Sequence, residues 1–299
     1  MTVVITGASG QLGRLVAAQL LGRLPAEEVI LTTRNPKDLG EFAERGVEVR
    51  YGDFDAAESL AEAFGGADRL LLISTMALGR RVAQHRAALE AALNAGIGRV
   101  VYTSLTNPVA GHPAGIVIEE HRETEEVLHA TPMAWTVLRN APYAELQVPL
   151  AAVAVTYGRL VTNAGDGRIA PISRSDCAEA AVAALTSDGH EGQTYEITGP
   201  EALTQADIAR LASEVSGRPV RVMQSGDRKL SWGLSRLGTP KPVARAIVDL
   251  GIATRDGYFD VVDDAFERLT GRRPRTLREV FISHREELAG TDGSALAYG

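Results

Sequence analysis

The stretch TGASGQLGRL at residues 6–15 follows the apolar run VVI at residues 3–5, and together they decide the fold. Gly7, Gly10 and Gly13 stand where a helical pattern begins, although glycine weakens a helix. Between a strand and a helix, three glycines permit a tight turn, the approach of a pyrophosphate to the backbone, and close packing of helix on strand. The free N–H groups and positive dipole end of the helix then face the anion. We predict a dinucleotide-binding turn; an ordinary glycine-rich turn is the alternative.

Short apolar runs alternate with helical patterns through the first half of the chain. Most of these runs are continuous, which is typical of strands buried on both faces of a parallel sheet. Alternation of strand and helix then predicts an α/β fold with a doubly wound parallel sheet of the Rossmann type. Strands are predicted near 2–6, 28–33, 47–51, 69–74, 99–103 and 134–138, and helices near 11–22, 37–45, 56–64, 80–95 and 117–130.

The regular alternation ends near residue 140, and we expect a smaller, mostly helical C-terminal substrate domain to follow. Its predicted elements are a glycine-rich stretch at 163–168, helices near 175–186, 204–216 and 226–250, and a small strand near 219–223. A strand near 193–198 is expected to return to the main sheet. The predicted dinucleotide-binding domain covers 1–145 with the returning segment near 190–199, the substrate domain covers 146–189 and 200–288, and a flexible tail covers 289–299.

Composition narrows the class of protein. The 299 residues are 45% hydrophobic and 23% charged, with a net charge of −7, which argues against a general nucleic-acid binder. The single cysteine, Cys177, excludes a disulfide framework and a cysteine-rich metal site, so we predict no metal and a reducing cytoplasm. No signal-like segment precedes the first strand, and no apolar run approaches 18 residues, so we expect no membrane association.

The second predicted strand ends in TTRN, and this end bears on the choice of dinucleotide. An acidic residue at this point binds the ribose 2′-OH of NAD, whereas an arginine accommodates a 2′-phosphate. Arg34 occupies the place and Lys37 follows shortly after it. We predict NADPH as the cofactor and keep NADH as an alternative; Arg34 could instead cap a solvated edge.

The ends of the next three strands supply further candidate contacts. Asp53 and Phe54, in YGDFD, could hold the adenine; the alternative is that the aspartates of this segment cap the following helix. Ligands lie at the carboxyl ends of strands in such sheets. The remaining candidates at strand ends are Ser74, Thr75, Thr103 and Ser104.

These motifs together resemble the NmrA-like group of atypical short-chain dehydrogenases, especially the quinone oxidoreductase type 2 and triphenylmethane reductase branches. The resemblance runs to about residue 285 and rests on TGASGQLG (6–13), TRNP (33–36), GVEVRYGDFD (46–55), HRETEEVL (121–128), TVLRNAPY (136–143), VTNAGDGRI (161–169), EGQTYEITG (191–199) and LTGRRPRTLREVF (269–281). It implies that the pyrophosphate is held by Gly7, Ser9, Gly10, Gln11, Leu12 and Gly13. It implies the 2′-phosphate at Arg34 and Lys37, the adenine at Asp53 and Phe54, the nicotinamide ribose at Ser74 and Thr75, and the nicotinamide end at Asn140, Ala141, Pro142 and Tyr143.

The chain lacks the Tyr-x-x-x-Lys pair with which ordinary short-chain dehydrogenases protonate a carbinol oxygen. His121 stands at the tyrosine position and Glu125 at the lysine position, on one helix face. Substrates that accept hydride readily, such as quinones and quinoid dyes, remain compatible with this site. His121 could donate a proton near neutral pH; the alternative is a structural hydrogen-bonding pair.

Tyr143, Asn140 and His121 are the candidate catalytic residues. The Tyr143 ring could stack on a flat aromatic substrate, or it could pack against the second domain. Asn140 could hold the carboxamide or a substrate oxygen. Met76, Trp232 and Leu234 are candidates for a pocket wall, with core packing favoured; Cys177 is expected to be buried and inert, and the basic run TGRRPRTL (270–277) to be solvated surface.

Three functions follow as hypotheses. The first is an NADPH-dependent reductase of quinones or related aromatics. In its narrower form, the enzyme prepares a polyketide quinone for oxygen-dependent hydroxylation, and a second enzyme of the same pathway could act with it. The second is a redox sensor of the NmrA type that binds the dinucleotide without chemistry. The third, reduction of enones or benzylic ethers, is disfavoured because the helix at 117–130 contains no lysine. Monomer and homodimer are both left open.

Overall fold

A computed structural model describes residues 1–289, so the predicted tail at 289–299 lies outside the described residues except for Ala289. The strands are β1 Val3–Ile5, β2 Val29–Thr33, β3 Glu48–Tyr51, β4 Arg69–Leu72, β5 Arg99–Leu105, β6 Ala134–Asn140, β7 Arg159–Thr162, β8 Arg168–Ile169, β9 Gln193–Ile197, β10 Leu203–Thr204 and β11 Arg221–Gln224. The helices are α1 Gln11–Leu20, α2 Gly40–Ala43, α3 Ala57–Phe64, α4 Arg81–Asn94, α5 Ile116–His129, α6 Gln147–Tyr157, α7 Arg174–Thr186, α8 Gln205–Ser216, α9 Asp227–Arg236, α10 Lys241–Arg255, α11 Ala265–Thr270, α12 Leu277–Ser283 and α13 Arg285–Leu288.

Seven strands form one parallel sheet in the order β3-β2-β1-β4-β5-β6-β9. Val4 of β1 lies between Ile30 of β2 and Leu70 of β4. The strand order reverses direction between β1 and β4, and ligands bind outside the carboxyl ends of strands at such a switch point. The doubly wound parallel sheet is confirmed, and β9 returns to its edge beside β6, as the sequence predicts.

Helices cover both faces of the sheet. Neighbouring residues of each strand point to opposite faces, so they pack in different cores. Ile5 of β1 packs in a core with α1, α7 and α11, whereas Val4 packs in a core with α3, α4 and α5. Helix α7 falls in the segment predicted as substrate domain, but it packs on α1 against the main sheet. Its run of alanines allows this close helix contact, so α7 belongs structurally to the sheet layers.

A second core of α6, α8, α12 and α13 lies beyond the sheet, with the small pairs β7–β11 and β8–β10 beside it. The predicted single helix at 226–250 is wrong. It is two helices, α9 and α10, that form a hairpin through Gly238, which adopts φ +79°, and Pro240, the N-cap of α10. The sequence analysis also missed β7 and α6, whose residues bury apolar surface only against this second layer.

The glycine-rich stretch at 163–168 contacts the hairpin formed by α9 and α10. Gly167 passes so close to α10 that a Cβ would lie 2.1 Å from the carbonyl oxygen of Thr254. Asn163 is buried and donates to Asp227 and to the carbonyl of Val248, at 2.8 and 3.0 Å. The stretch therefore anchors the hairpin. Across residues 1–289, helices long and apolar enough to cross a bilayer are absent.

Candidate dinucleotide and hydride-transfer site

The turn at residues 6–13 lies at the switch point of the sheet. The Thr6 hydroxyl donates to the carbonyl of Leu71 at 3.1 Å and accepts the N–H of Ile73 at 3.0 Å, which ties β1 to β4. Helix α1 begins at Gln11, and its N-cap, Gly10, supplies no side-chain hydrogen bond. The first N–H groups of the helix therefore face outward as donors for an anion.

Each glycine of the turn has a separate structural reason. Gly7 adopts φ +59°, a left-handed conformation that side chains rarely tolerate. A Cβ on Gly13 would lie 2.5 Å from the Gly7 oxygen and 2.7 Å from the Cα of Ala8, and one on Gly10 would lie 3.2 Å from the Gly7 oxygen. The turn and the first helical turn are thus in direct backbone contact. This cradle fits the pyrophosphate of a dinucleotide.

The other predicted pyrophosphate residues offer different groups. Ser9 is half-buried, and its hydroxyl accepts from the Thr33 hydroxyl at 2.9 Å. Gln11 is exposed at the start of α1, whereas the Leu12 side chain is buried in the core. Leu12 can therefore contribute only its backbone N–H to a ligand.

Two unpaired cations follow β2. Arg34 and Lys37 are exposed, and neither forms an ion pair with any of residues 1–289. A nearby arginine missed by the sequence analysis, Arg14, pairs with Glu41 and donates to the carbonyl of Asp38. Arg14 also donates to the carbonyl of Ser9 at 3.0 Å, so it links the glycine turn to the segment that carries the two cations. Its position in the first turn of α1, directly after the glycine turn, is the feature of the sequence that could have indicated this role.

Asp53 and Phe54 lie in the turn after β3. The Asp53 carboxylate accepts the N–H of Asp55 at 3.0 Å, and the edge of the Phe54 ring faces His85 with centroids 6.2 Å apart. The alternative, in which Asp55 caps the next helix, is not found, because the N-cap of α3 is Ala56 and no side chain caps it. Both predicted adenine contacts are half-buried.

The candidates after β4 and within β5 are hydrogen-bonded to other groups of the protein. The N–H of Ser74 donates to the Thr103 hydroxyl at 3.0 Å, and the Thr75 hydroxyl donates to Gln84 at 2.8 Å. The Ser104 hydroxyl donates to Glu125 at 2.6 Å. Thr103 and Ser104 are buried, and these internal bonds account for their hydroxyls without a ligand.

Glu125 is engaged by Arg139. Two hydrogen bonds of 3.0 and 2.7 Å join the guanidinium to this buried carboxylate, and a further bond of 3.3 Å joins it to Glu196 of β9. The arginine therefore ties α5 to β6 and to the edge strand β9. His121 and Glu125 each anchor α5, but through different partners rather than as a bonded pair.

His121 is buried, and its Nδ1 lies 2.8 Å from the Tyr102 hydroxyl. Burial, reinforced by Arg81 and His85, lowers the pKa of His121 well below its ordinary value of 6.5. The ring is therefore neutral at pH 7, and the expectation of an imidazole poised to titrate near neutrality is wrong. No signal in the sequence indicated this, because the burial comes from distant residues.

The hydrogen bonds around this cluster assign the tautomer of His85. His85 accepts the N–H of Thr75 at Nε2, so its proton is on Nδ1, which donates to Thr124 at 3.0 Å. The buried Tyr102 hydroxyl lies 2.8 Å from His121 Nδ1 and also interacts with the Thr124 hydroxyl, so it joins the two histidines through one network.

The loop from Asn140 to Tyr143 closes the carboxyl edge of β6. The Ala141 N–H donates to Ile197 at 2.9 Å, and the Ile172 N–H donates to the carbonyl of Pro142 at 3.2 Å. Asn140 is only 2% exposed, and neither polar atom of its amide has a hydrogen-bond partner among residues 1–289. The Tyr143 hydroxyl lies near this amide without meeting hydrogen-bond geometry. A buried amide without partners is costly unless a ligand completes it.

Tyr143 packs beneath Arg174 of α7, whose guanidinium lies 4.7 Å from the ring centroid. One ring face is thus occupied, which restricts the predicted stacking on a substrate to the other face. The ring packs against the main core, and burial, with Cys177 nearby, raises the pKa of the Tyr143 hydroxyl. Arg174 was missed by the sequence analysis, since nothing local links it to this loop.

Several lesser expectations can also be compared with the structure. Cys177 is buried, and burial raises the pKa of its thiol, in agreement with an inert cysteine. Met76 and Trp232 are 88% and 64% exposed, so core packing is wrong for both. The basic run is not all solvated surface, because Arg272 pairs with Asp176 at 2.5 Å.

A family model described as NAD(P)H-binding matches residues 7–188. Quinone oxidoreductase 2 of Escherichia coli is 35% identical to the chain, over 94% of this chain and 98% of the relative. Its crystal structure with NADPH superposes with a TM-score of 0.90, covering 95% of this chain and 99% of that one.

Two further relatives differ in their substrates. Triphenylmethane reductase of Citrobacter sp., solved with NADP(H), is 32% identical with a TM-score of 0.89, over 95% of this chain and all of that one. A (4-alkanoyl-5-oxo-2,5-dihydrofuran-3-yl)methyl phosphate reductase of Streptomyces griseus is 30% identical, over 96% of this chain and 99% of the relative. The family model covers more than half of the chain, and the glycine turn fits a dinucleotide. The chain therefore belongs to the NAD(P)H-binding family and, within that family, to the NmrA-like oxidoreductases.

Proposed function

We propose that this protein reduces quinones and related quinoid aromatics with NADPH. The observation that carries the proposal is the buried, unpartnered amide of Asn140, which lies at the same sheet edge as the pyrophosphate cradle. Relatives named for quinone and dye reduction match nearly the whole chain, which supports the same substrate class.

The cradle at Gly7, Gly10 and Gly13 would hold the pyrophosphate, and Arg34 and Lys37 would pair with the 2′-phosphate. Both cations are free of internal ion pairs within residues 1–289, so binding a phosphate breaks no existing contact. We place the adenine at Asp53 and Phe54 and the nicotinamide ribose at Ser74 and Thr75. Thr103 and Ser104 are proposed to position these groups rather than touch the cofactor.

When bound, NADPH supplies a hydride, and a quinone that takes up this hydride and one proton becomes a hydroquinone. Asn140 offers two N–H donors and one carbonyl acceptor. It would orient the carboxamide or a substrate oxygen at the carboxyl edge of the sheet, where its burial excludes competing water. The free face of Tyr143 would pack on the aromatic substrate.

The proton is proposed to come from solvent. His121 is neutral at pH 7 because burial lowers its pKa, so it holds no dissociable proton to donate. A neutral His121 protonated at Nε2 would still donate a hydrogen bond to a substrate oxygen, with Nδ1 bonded to Tyr102. A quinone suits this arrangement, since its reduced form is stabilised by aromaticity and needs no strong acid.

NADPH oxidation followed at 340 nm tests the proposal. Benzoquinone, naphthoquinones, anthraquinones and a triphenylmethane dye would be offered, with NADH in parallel. We expect turnover with at least one class of acceptor and a preference for NADPH. Tight NADPH binding without any turnover would contradict the proposal and support the sensor hypothesis.

A narrower form of the proposal concerns oxygen. Reduction of a polycyclic quinone would prepare the substrate for oxygen-dependent hydroxylation in a biosynthetic pathway, together with a second enzyme. Its support is the alanine- and arginine-rich composition of the chain, which indicates a GC-rich genome. Genomes of that kind often encode aromatic polyketide pathways. Oxygen consumption confined to polycyclic quinones would favour this form, and equal turnover with and without oxygen would exclude it.

A further inference from the structure

The α9–α10 hairpin carries a charge opposite to that of the rest of the protein. Residues 227–256 contain six Arg and Lys residues and three Asp residues, a net charge of +3. Because the whole chain carries −7, the remaining residues carry −10. A local asymmetry of this kind indicates a negatively charged binding partner.

The acidic residues of the hairpin are already neutralised. Asp227 and Asp256 pair with Arg255 at 3.2 and 3.4 Å, and Asp249 pairs with Arg245 at 2.6 Å. The other basic residues of the hairpin form no ion pair with any part of the chain that the structure describes: Arg228, Lys229, Arg236 and Lys241. The hairpin therefore presents four uncompensated cations to solvent.

Exposed apolar side chains lie among these cations. Trp232 is 64% exposed, and Arg228 and Arg236 flank it one helical turn away on either side. The Arg236 guanidinium lies 5.1 Å from the Trp232 ring centroid. Leu237, at the tip of the hairpin, and Leu250 are 68% and 41% exposed. A groove of about 500 Å³ between the two helices borders the tryptophan.

We propose that this hairpin docks the protein peripherally on an anionic lipid surface. A tryptophan and leucines among Arg and Lys side chains are typical of helices that lie at a membrane interface. Each cation near an anionic leaflet raises the affinity about fivefold. A nucleic-acid partner is disfavoured because Leu237 and Leu250 would remain exposed to water beside a phosphate backbone, whereas a lipid surface would bury them. This docking differs from the sequence-based expectation of no membrane association.

The docking would serve the proposed reductase function, and this use of it rests on that function. Lipophilic quinones partition into bilayers, so a hairpin resting on the lipid would bring the reductase to its substrate. Asn163 and Gly167 anchor the hairpin to the second layer, so the docked surface is connected rigidly to the rest of the protein.

Co-sedimentation with lipid vesicles tests the docking without measuring activity. Vesicles of phosphatidylcholine mixed with phosphatidylglycerol would be compared with pure phosphatidylcholine, at low and at high salt. The chain has two tryptophans, Trp135 and Trp232, so a W135F variant reports on Trp232 alone. We expect binding to the anionic vesicles only, a blue shift of Trp232 emission, and loss of both at high salt.

The R228Q/R236Q double variant should bind anionic vesicles about 25-fold more weakly, from two contributions of about fivefold. The matched control is R23Q/R285Q, which removes two exposed, unpaired arginines outside the hairpin. NADPH oxidation with a water-soluble benzoquinone should be unchanged in both variants, so failure of docking and failure of the reductase are distinguishable. Equal binding to pure phosphatidylcholine, equal weakening by the control, or no binding at low salt would each overturn the proposal. So would self-association of the protein that R228Q/R236Q abolishes, because the patch would then join two copies.

Discussion

The glycine turn at 6–13 and the loop at 140–143 lie at the same sheet edge, but they are built in different ways. The turn is one continuous stretch whose backbone supplies the hydrogen-bond donors. Its conformation can therefore be predicted from its own sequence. The loop depends on distant segments: Ile197, Ile172 and Arg174 hold it in place. Ligand recognition by backbone can thus be read locally, whereas the chemistry at the reactive end depends on tertiary contacts.

The largest effect is expected at the loop. Asn140→Leu should lower kcat/KM for a quinone about 100-fold, the cost of removing one preorganised donor from an active site. The same change should leave the melting temperature equal or higher, because it removes a buried amide without partners. Steady-state kinetics and thermal unfolding measure the two effects. A stability loss that accompanies the activity loss would mean that Asn140 is structural.

The next largest effect, on NADPH affinity, is expected at the glycine turn. Gly13→Ala should weaken NADPH binding about 30-fold, on the order of 2 kcal/mol, because the new Cβ meets the Gly7 carbonyl and Ala8 backbone at 2.5 and 2.7 Å. Gly98→Ala is the matched control, since a Cβ there meets nothing within 4 Å. Fluorescence titration with NADPH gives both affinities. Equal affinities would show that the cradle does not hold the pyrophosphate.

The exposed cations that follow β2 test whether residues adjacent in the chain recognise the 2′-phosphate. Arg34→Asp should lower the preference for NADPH over NADH about 20-fold, within the range for hydrogen bonds to charged groups. Arg45→Asp, at another exposed arginine, should leave the preference as it was. An unchanged ratio of kcat/KM values in the Arg34 variant would refute the 2′-phosphate site.

The smallest effect concerns pH and the buried histidines. Burial lowers the pKa of His85 from 6.5 to about 3, and lowers that of His121 in the same direction. Because the unfolded chain binds these protons first, stability is complete above pH 6.5 and falls as the pH drops below it. His85 alone should cost about 1.4 kcal/mol between pH 7.5 and 5.5.

Denaturant unfolding across this pH range measures the slope. His85→Gln should flatten it, whereas His129→Gln, at an exposed position, should preserve it. The kcat should meanwhile lack a step attributable to His121 near pH 6.5. A stability that stays constant down to pH 5.5 would mean that these rings are charged in the folded protein.

The sequence predicted the main sheet well because its strands are continuous apolar runs and its turns carry glycine. It predicted the second layer poorly. Helix α6 and strand β7 can be recognised only when their apolar residues contact α8 and β11. Periodicity alone predicts one helix across Pro240, where the structure begins a new helix. Helix α7 was assigned to the wrong layer because its alanines suit any close helix contact.

What the sequence by itself determined is the glycine turn at 6–13, the parallel sheet and the two cations that follow β2. Each depends on backbone conformation or on residues adjacent in the chain, which short-range sterics control. Only the tertiary structure decided that burial lowers the pKa of His121, that the Asn140 amide has no hydrogen-bond partner among residues 1–289 and that Arg174 covers Tyr143. Burial and hydrogen bonding set these properties, and both arise between residues that the fold brings together from far along the chain.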